Sequence, residues 1–169
     1  MPSSRINKEL NDQTYFLTFT IKNWYYLFDR HNRWEILKNS LQYCQKHKNL
    51  KIYHYVFMLN HIHVIISSPD VAGFIRDFKR FTSREFHKNL AEKEPSVLEI
   101  FKDENDKYRF WKKTNMPILL ETEKVYQQKA QYIEFNPVRK LYVSNPEHWI
   151  YSSANPKTSI KLDKLYQDF

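Results

Sequence analysis

Three side chains have the types and the spacing for phosphoryl chemistry. His61 and His63 stand two apart in the run Tyr53-His54-Tyr55-Val56-Phe57-Met58-Leu59-Asn60-His61-Ile62-His63-Val64-Ile65-Ile66. Strand side chains alternate between faces, so both imidazoles point one way while Ile62, Val64 and Ile66 point the other. Two neutral imidazoles on a rigid strand make half of a metal site. Tyr132 lies in a later segment of helical composition, with Gln128 one turn before it and Asn136 one turn after. A phenol is a weak nucleophile at neutral pH, its ordinary pKa being about 10. It becomes useful against a phosphate whose charge a divalent cation neutralises. Asn136 and Gln128 each offer a carbonyl oxygen and are both candidates for a third ligand beside His61 and His63. Taken singly, a His-x-His strand, a helical tyrosine and an Asn-Pro helix end are all common in proteins without catalysis. Their combination on one small basic chain is what points to chemistry.

Elements must hold these groups. Thr14 to Ile21 is dense in β-formers and reads as a first strand. Trp34, Leu37, Leu41 and Cys44 follow a helical spacing. The runs on either side of Leu59-Asn60 read as an antiparallel hairpin with the histidines on its second strand. Asp70 is placed to cap a helix in which Val71, Phe74, Phe78 and Phe81 share one face. Arg76, Arg80 and Arg84 recur every four residues on another side, with Lys79 beside them. That stripe is either a solvated face or a track for a phosphate backbone. His87 to Lys107 is highly charged and reads as a mobile excursion. Tyr108 to Trp111 and Pro117 to Leu120 are short-strand candidates. Glu121 to Phe135 is helical in composition, and Asn136-Pro137 is expected to stop it, because the residue before proline leaves the α region. The pattern is α+β: one antiparallel sheet with helices packed on one face.

Composition bounds the alternatives. The chain has 169 residues, 41% of them hydrophobic, and carries a net charge of +8. The expected division is a lead-in over 1–12, one domain over 13–154 and a C-terminal tail over 155–169. The only glycine is Gly73, which excludes the Gly-rich loops of Rossmann and P-loop proteins. The only cysteine is Cys44, which excludes an internal disulfide and a thiolate zinc cluster. The basic balance favours a polyanionic partner. No apolar run reaches the length of a membrane span, so no membrane partner is expected and a cytoplasmic protein is the default expectation.

Three segments carry a resemblance. Met58-Leu59-Asn60-His61-Ile62-His63-Val64-Ile65 resembles the M-P-N-H-U-H segment of the single-tyrosine HUH transposases, in which U is hydrophobic. Gln131 to Lys140 resembles their Y-I-x-x-N-P-V-R-A segment, and Trp149-Ile150-Tyr151-Ser152-Ser153 their W-x-x-S-S element. Within that family the chain resembles the REP-associated tyrosine transposases of the IS200-like group. Leu59 stands where the family has proline, and Lys140-Leu141-Tyr142 where it has Ala-Gly-Leu. Asn136 stands where many relatives have the ligand Gln.

The resemblance implies a ferredoxin-like sheet of the HUH endonuclease type with the histidine pair on a central strand. It implies Tyr132 as the nucleophile toward single-stranded DNA with hairpin or palindromic ends, leaving a 5′-phosphotyrosine and a free 3′-OH. It implies Mg²⁺ or Mn²⁺ held by His61 and His63. Relatives include monomers acting in cis and homodimers that pair histidines of one copy with the tyrosine of the other. Arg76, Lys79, Arg80, Arg84 and Arg139 are the candidate DNA contacts, and Trp111 and Trp149 candidate stacking partners for unpaired bases. The competing readings are a non-catalytic, domesticated binder of structured DNA or RNA on the same fold, and a metal phosphohydrolase that leaves Tyr132 idle.

Overall fold

A computed structural model describes residues 11–115 and 117–165; most of the expected lead-in lies outside them. Four strands form one antiparallel sheet: β1 (Tyr15–Thr20), β2 (Lys51–Phe57), β3 (His61–Ser67) and β4 (Ile118–Leu119), in the order β2-β3-β1-β4. Helix α1 (Arg33–Lys48) joins β1 to β2, and α2 (Val71–Lys93) with the short α3 (Pro95–Ile100) precedes β4. This β-α-β-β-α-β arrangement is the expected ferredoxin-like α+β sheet, with the histidine strand β3 at its centre. Helix α4 (Glu123–Arg139) follows β4.

Alternation along the central strands builds two cores. Tyr15, Leu17 and Phe19 of β1 and Ile62, Val64 and Ile66 of β3 face α1 and α2, burying Leu37, Leu41, Phe74 and Phe78 with them. Phe16 and Ile65 face the other way and bury Tyr126, Ala130 and Ile133 of α4. The helices on one face are thus α1 and α2, while α4 closes the opposite face. Cross-strand register pairs Thr18 with His63 and Thr20 with His61, so both imidazoles point to the α4 side.

The hairpin forms at Leu59-Asn60 as expected, with Met58 N–H donating to the His61 carbonyl at 2.8 Å. Asp70 caps α2 by accepting from Gly73 N–H at 2.9 Å. A Cβ on Gly73 would collide with that carboxylate, which explains why the single glycine sits inside a helix.

Several expectations are corrected. His87 to Lys107 is no excursion: α2 runs on to Lys93 because Phe86 and Leu90 continue its buried stripe. Pro95 then opens α3, where its missing N–H costs nothing, and Leu98 and Phe101 are buried behind it. Tyr108 to Trp111 makes only isolated bridges, Lys102 with Tyr108 and Ile21 with Trp111. Helix α4 does not stop at Asn136 but continues through Pro137 to Arg139. Pro137 sits in the last turn, where one lost donor is a small penalty, and its carbonyl accepts from Tyr142 N–H at 3.0 Å.

The chain after α4 returns to the sheet. Phe57 N–H donates to the Tyr151 carbonyl at 2.8 Å and Ser153 N–H to the Tyr55 carbonyl at 2.9 Å. Asp163 N–H donates to the Ile52 carbonyl at 2.8 Å, and Ile160 is buried in the α1-side core. Trp149-Ile150-Tyr151-Ser152-Ser153 therefore covers the free edge of β2, an edge that would otherwise invite strand pairing. Among the described residues no helix is long and apolar enough to cross a membrane.

Candidate active site

The two histidines are set by their neighbours. The His61 Nδ1 lies 2.8 Å from Asn60 Oδ1. Asn60 Nδ2 donates to the Trp24 carbonyl at 2.7 Å, which fixes the amide's orientation. Its oxygen can only accept, so the proton of His61 is on Nδ1 and the lone pair is on Nε2. The His63 Nδ1 pairs with Thr18 Oγ1 at 2.8 Å. Its Nε2 is buried with no hydrogen-bond partner among the described residues. The rings lie 4.9 Å apart, centre to centre. An imidazole anchored at one nitrogen and free at the other is the arrangement of a metal ligand with its outer support.

Burial keeps both rings neutral. It pushes His61 down to about 4, with Lys140 adding to the effect. It pushes His63 down to about 3, with His61, Lys129 and Arg139 as the further causes.

Helix α4 brings Tyr132 over this pair. Its ring centre is 5.2 Å from that of His63 and 6.1 Å from that of Phe16, nearly perpendicular to both. Tyr132 is 40% exposed. The Arg139 guanidinium stands 4.5 Å from the Tyr132 ring centre and the Lys129 ammonium 5.7 Å, and Arg139 also donates to the Tyr132 carbonyl. A cleft of about 650 Å³ holds Thr18, His61, His63, Lys129, Tyr132, Asn136, Arg139 and Lys140.

Of the expected site residues, the cleft unites His61, His63, Tyr132, Asn136 and Arg139. Gln128 is not among them: it lines a separate depression with His54 and Glu134. The face of α4 turned to the histidines carries residues 129, 132, 136 and 139, so Lys129 occupies the place that Gln128 was expected to hold. Among the described residues no group of three His, Cys, Asp or Glu side chains is placed to hold a metal ion. Asn136, only 4% exposed, lines the same cleft as the pair.

The arginine stripe lies elsewhere. Helix α2 packs on the opposite face, so the sheet separates Arg76, Arg80 and Arg84 from the cleft. Arg76 pairs with Asp77 at 3.0 Å and Arg84 with Glu85 at 3.3 Å. Lys79 is engaged too, donating to the Lys112 carbonyl at 2.8 Å and the Lys113 carbonyl at 3.2 Å. Trp111 is buried and donates to Thr82 Oγ1 at 2.9 Å. Trp149 donates to the Phe57 carbonyl at 2.9 Å. Trp111 is thus committed to the core, while Trp149 is half-buried.

With the geometry in place, comparison with known proteins places the chain. A family model described as "Transposase IS200 like" matches residues 9–134. The chain belongs to the IS200-like transposase family. The matched stretch contains His61, His63 and Tyr132 and ends before Asn136. A solved REP-associated tyrosine transposase bound to a REP hairpin is similar to this transposase over 100% of this chain and 95% of its own, with a TM-score of 0.70 at 18% identity. That likeness shows the fold. A putative transposase from Deinococcus radiodurans R1 covers 79% of this transposase and 96% of its own chain, with a TM-score of 0.48 at 18% identity. No curated protein matches.

Sequence reasoning missed Lys129, Lys140, Thr18 and the support role of Asn60 in this transposase. Lys129 was legible in principle, since it stands three residues before Tyr132 and shares its helical face. Thr18 was not, because its place beside His63 depends on strand register.

Proposed function

We propose that this transposase cleaves and rejoins single-stranded DNA through a covalent 5′-phosphotyrosine at Tyr132. His61 and His63 would hold Mg²⁺ or Mn²⁺, with Asn136 as the third protein donor. The observation that carries this reading is the 5.2 Å separation of the Tyr132 and His63 rings, across a cleft that opens to solvent. A bound cation supplies charge neutralisation on the scissile phosphate.

The residues divide the work. Phe16 and Arg139 flank the Tyr132 ring and hold it at the histidine edge. The Tyr132 Oη attacks phosphorus, the bond to the 3′ oxygen breaks, and the phenolic proton ends on that leaving oxygen. The ester to tyrosine conserves the bond energy, so attack by another 3′-OH rejoins a strand without ATP. Lys129, Arg139 and Lys140 stand where phosphate charge needs partners. The Tyr132 ring stands beside the histidines of its own chain, which supports cleavage in cis. The hairpin on the solved relative supports a hairpin-bearing strand as substrate.

The test is a denaturing gel after incubation with Mn²⁺ and hairpin-bearing single strands. Wild type should give a protein–DNA band that Tyr132→Phe abolishes, while binding stays within about twofold, since only a hydroxyl is lost. A band that persists in Tyr132→Phe moves the nucleophile elsewhere. No band in wild type on any strand favours the non-catalytic binder.

A further inference from the structure

The catalytic cleft does not end at His61. Beyond that ring lies a second groove of about 640 Å³, lined by Trp24, Tyr26, Asn60, His61, Lys140 and Tyr142 among others. Trp24, His61 and Lys140 border both spaces, so the two adjoin. The groove is aromatic and open: Trp24 is 59% exposed, Tyr26 51% and Tyr142 39%.

Trp24 is held there against its backbone preference. Its φ is 55° and that of Asn23 is 61°. Left-handed backbone at a bulky residue is uncommon, and such strain collects at functional sites. The conformation is pinned by Trp24 N–H donating to the Ile21 carbonyl at 3.1 Å and by Asn60 donating to the Trp24 carbonyl. The amide that orients His61 thus also holds the Trp24 backbone. The Lys112 ammonium lies 3.7 Å from the indole centre, on one face of a ring that remains largely exposed.

The order of rings gives the groove a direction. Tyr132 touches His63, His63 lies 4.9 Å from His61, and His61 lies 6.5 Å from Trp24. In phosphoryl transfer the attacking and leaving oxygens stand roughly in line across phosphorus. With the phenol attacking from the His63 end, the 3′ oxygen departs toward His61 and the groove.

The geometry points to this groove as the seat of the unpaired nucleotides that end in the 3′-OH, with their terminal base stacked on Trp24 and their phosphate beside Lys140. This rests on the cleavage chemistry proposed above and gives it a specific consequence. A strand released on cleavage stays beside the phosphotyrosine, ready to be rejoined. Stacking on an aromatic platform tolerates any base, so the groove sets polarity rather than sequence.

The probe is tetrathymidylate carrying the fluorescent base 2-aminopurine, whose emission falls when it stacks. One version has it at the 3′ end with a free hydroxyl, the other at the 5′ end with a phosphate. Both are titrated with Mg²⁺ onto the full chain carrying Tyr132→Phe, which cannot react. The 3′ probe should be quenched, and adding Trp24→Gly should remove the quenching and weaken binding about 5- to 150-fold, the worth of one stacked base. Glycine suits a φ of 55°, so backbone strain cannot account for the loss. Trp24→Phe, which keeps a ring, should keep the signal. Unchanged quenching in Trp24→Gly, loss in Trp24→Phe as well, or quenching of the 5′ probe alone would each overturn the assignment. Covalent adduct in wild type together with any of these results rejects the groove alone. Absence of adduct in wild type rejects the cleavage chemistry instead.

Discussion

At the scale of single residues, the site depends on two imidazoles that stay unprotonated. A histidine ligand must be neutral, so protons compete with the cation only as pH falls toward the ligand's own pKa. An exposed histidine begins to lose that competition near pH 6.5. His61 and His63, pushed down to about 4 and about 3, should not. Mn²⁺ affinity measured by calorimetry should therefore stay level from about pH 8 to about pH 5.5 and drop below that. A tenfold loss already by pH 6 would show the rings to be ordinary. The metal-free protein carries the opposite side of the linkage. Folded-state pKa values below the unfolded value leave stability whole above about pH 6.5 and erode it as pH falls toward 4. The support of His63 can be tested by itself. Thr18→Val removes the hydroxyl that anchors Nδ1 and should weaken Mn²⁺ binding roughly 10- to 100-fold.

At the scale of elements, the end of α4 departs from the family pattern. Leu141 N–H donates to the Val138 carbonyl at 2.9 Å and Tyr142 N–H to the Pro137 carbonyl at 3.0 Å. This paired closure needs a left-handed residue at the position after the cap, where glycine is favoured. Leu141 fills it at a φ of 60° while 90% exposed. It has strain and almost no packing to offset it. Leu141→Gly should raise stability by about 1 kcal/mol, or about 2–4 °C in thermal midpoint for a chain of this size. A fall would mean that Leu141 packs in a way its exposure denies. The same helix shows where local rules stop being enough. Asn136-Pro137 reads as a stop, yet α4 continues because Ile133 and Pro137 are buried and the turn beyond Arg139 donates the closing bonds to its carbonyls.

At the scale of the molecule, charge is divided between two faces of one sheet. Lys129, Arg139 and Lys140 surround the cleft, while Arg76, Arg80 and Arg84 lie behind it on α2. Each phosphate contact to a single strand contributes a log–log salt slope of about −0.7. For a strand short enough to fill only the cleft, Lys140→Ala should make the slope shallower by about 0.7 and Arg80→Ala should leave it unchanged. Equal effects would bring the strand around to the α2 face. The net charge of +8 raises affinity for any polyanion, but the sheet decides which cations one strand can reach together.

Much of this protein was written locally. The two-residue period around Asn60 put His61 and His63 on one face, because alternation is a property of any extended chain. The change to a helical period marked α1, α2 and α4, and the Asp70 cap needs only its own next turn. What local pattern could not decide was contact between distant segments. Helical spacing left Gln128 and Asn136 equal beside Tyr132, and only the packing of Tyr126, Ala130 and Ile133 on the sheet set the rotation of α4 that brings Lys129 and Asn136 to the histidines. Arg80 and Lys129 read alike as basic helical residues. Their separation arises because α2 and α4 close opposite faces of one sheet, and which face a helix covers is settled by how the whole chain buries its apolar surface.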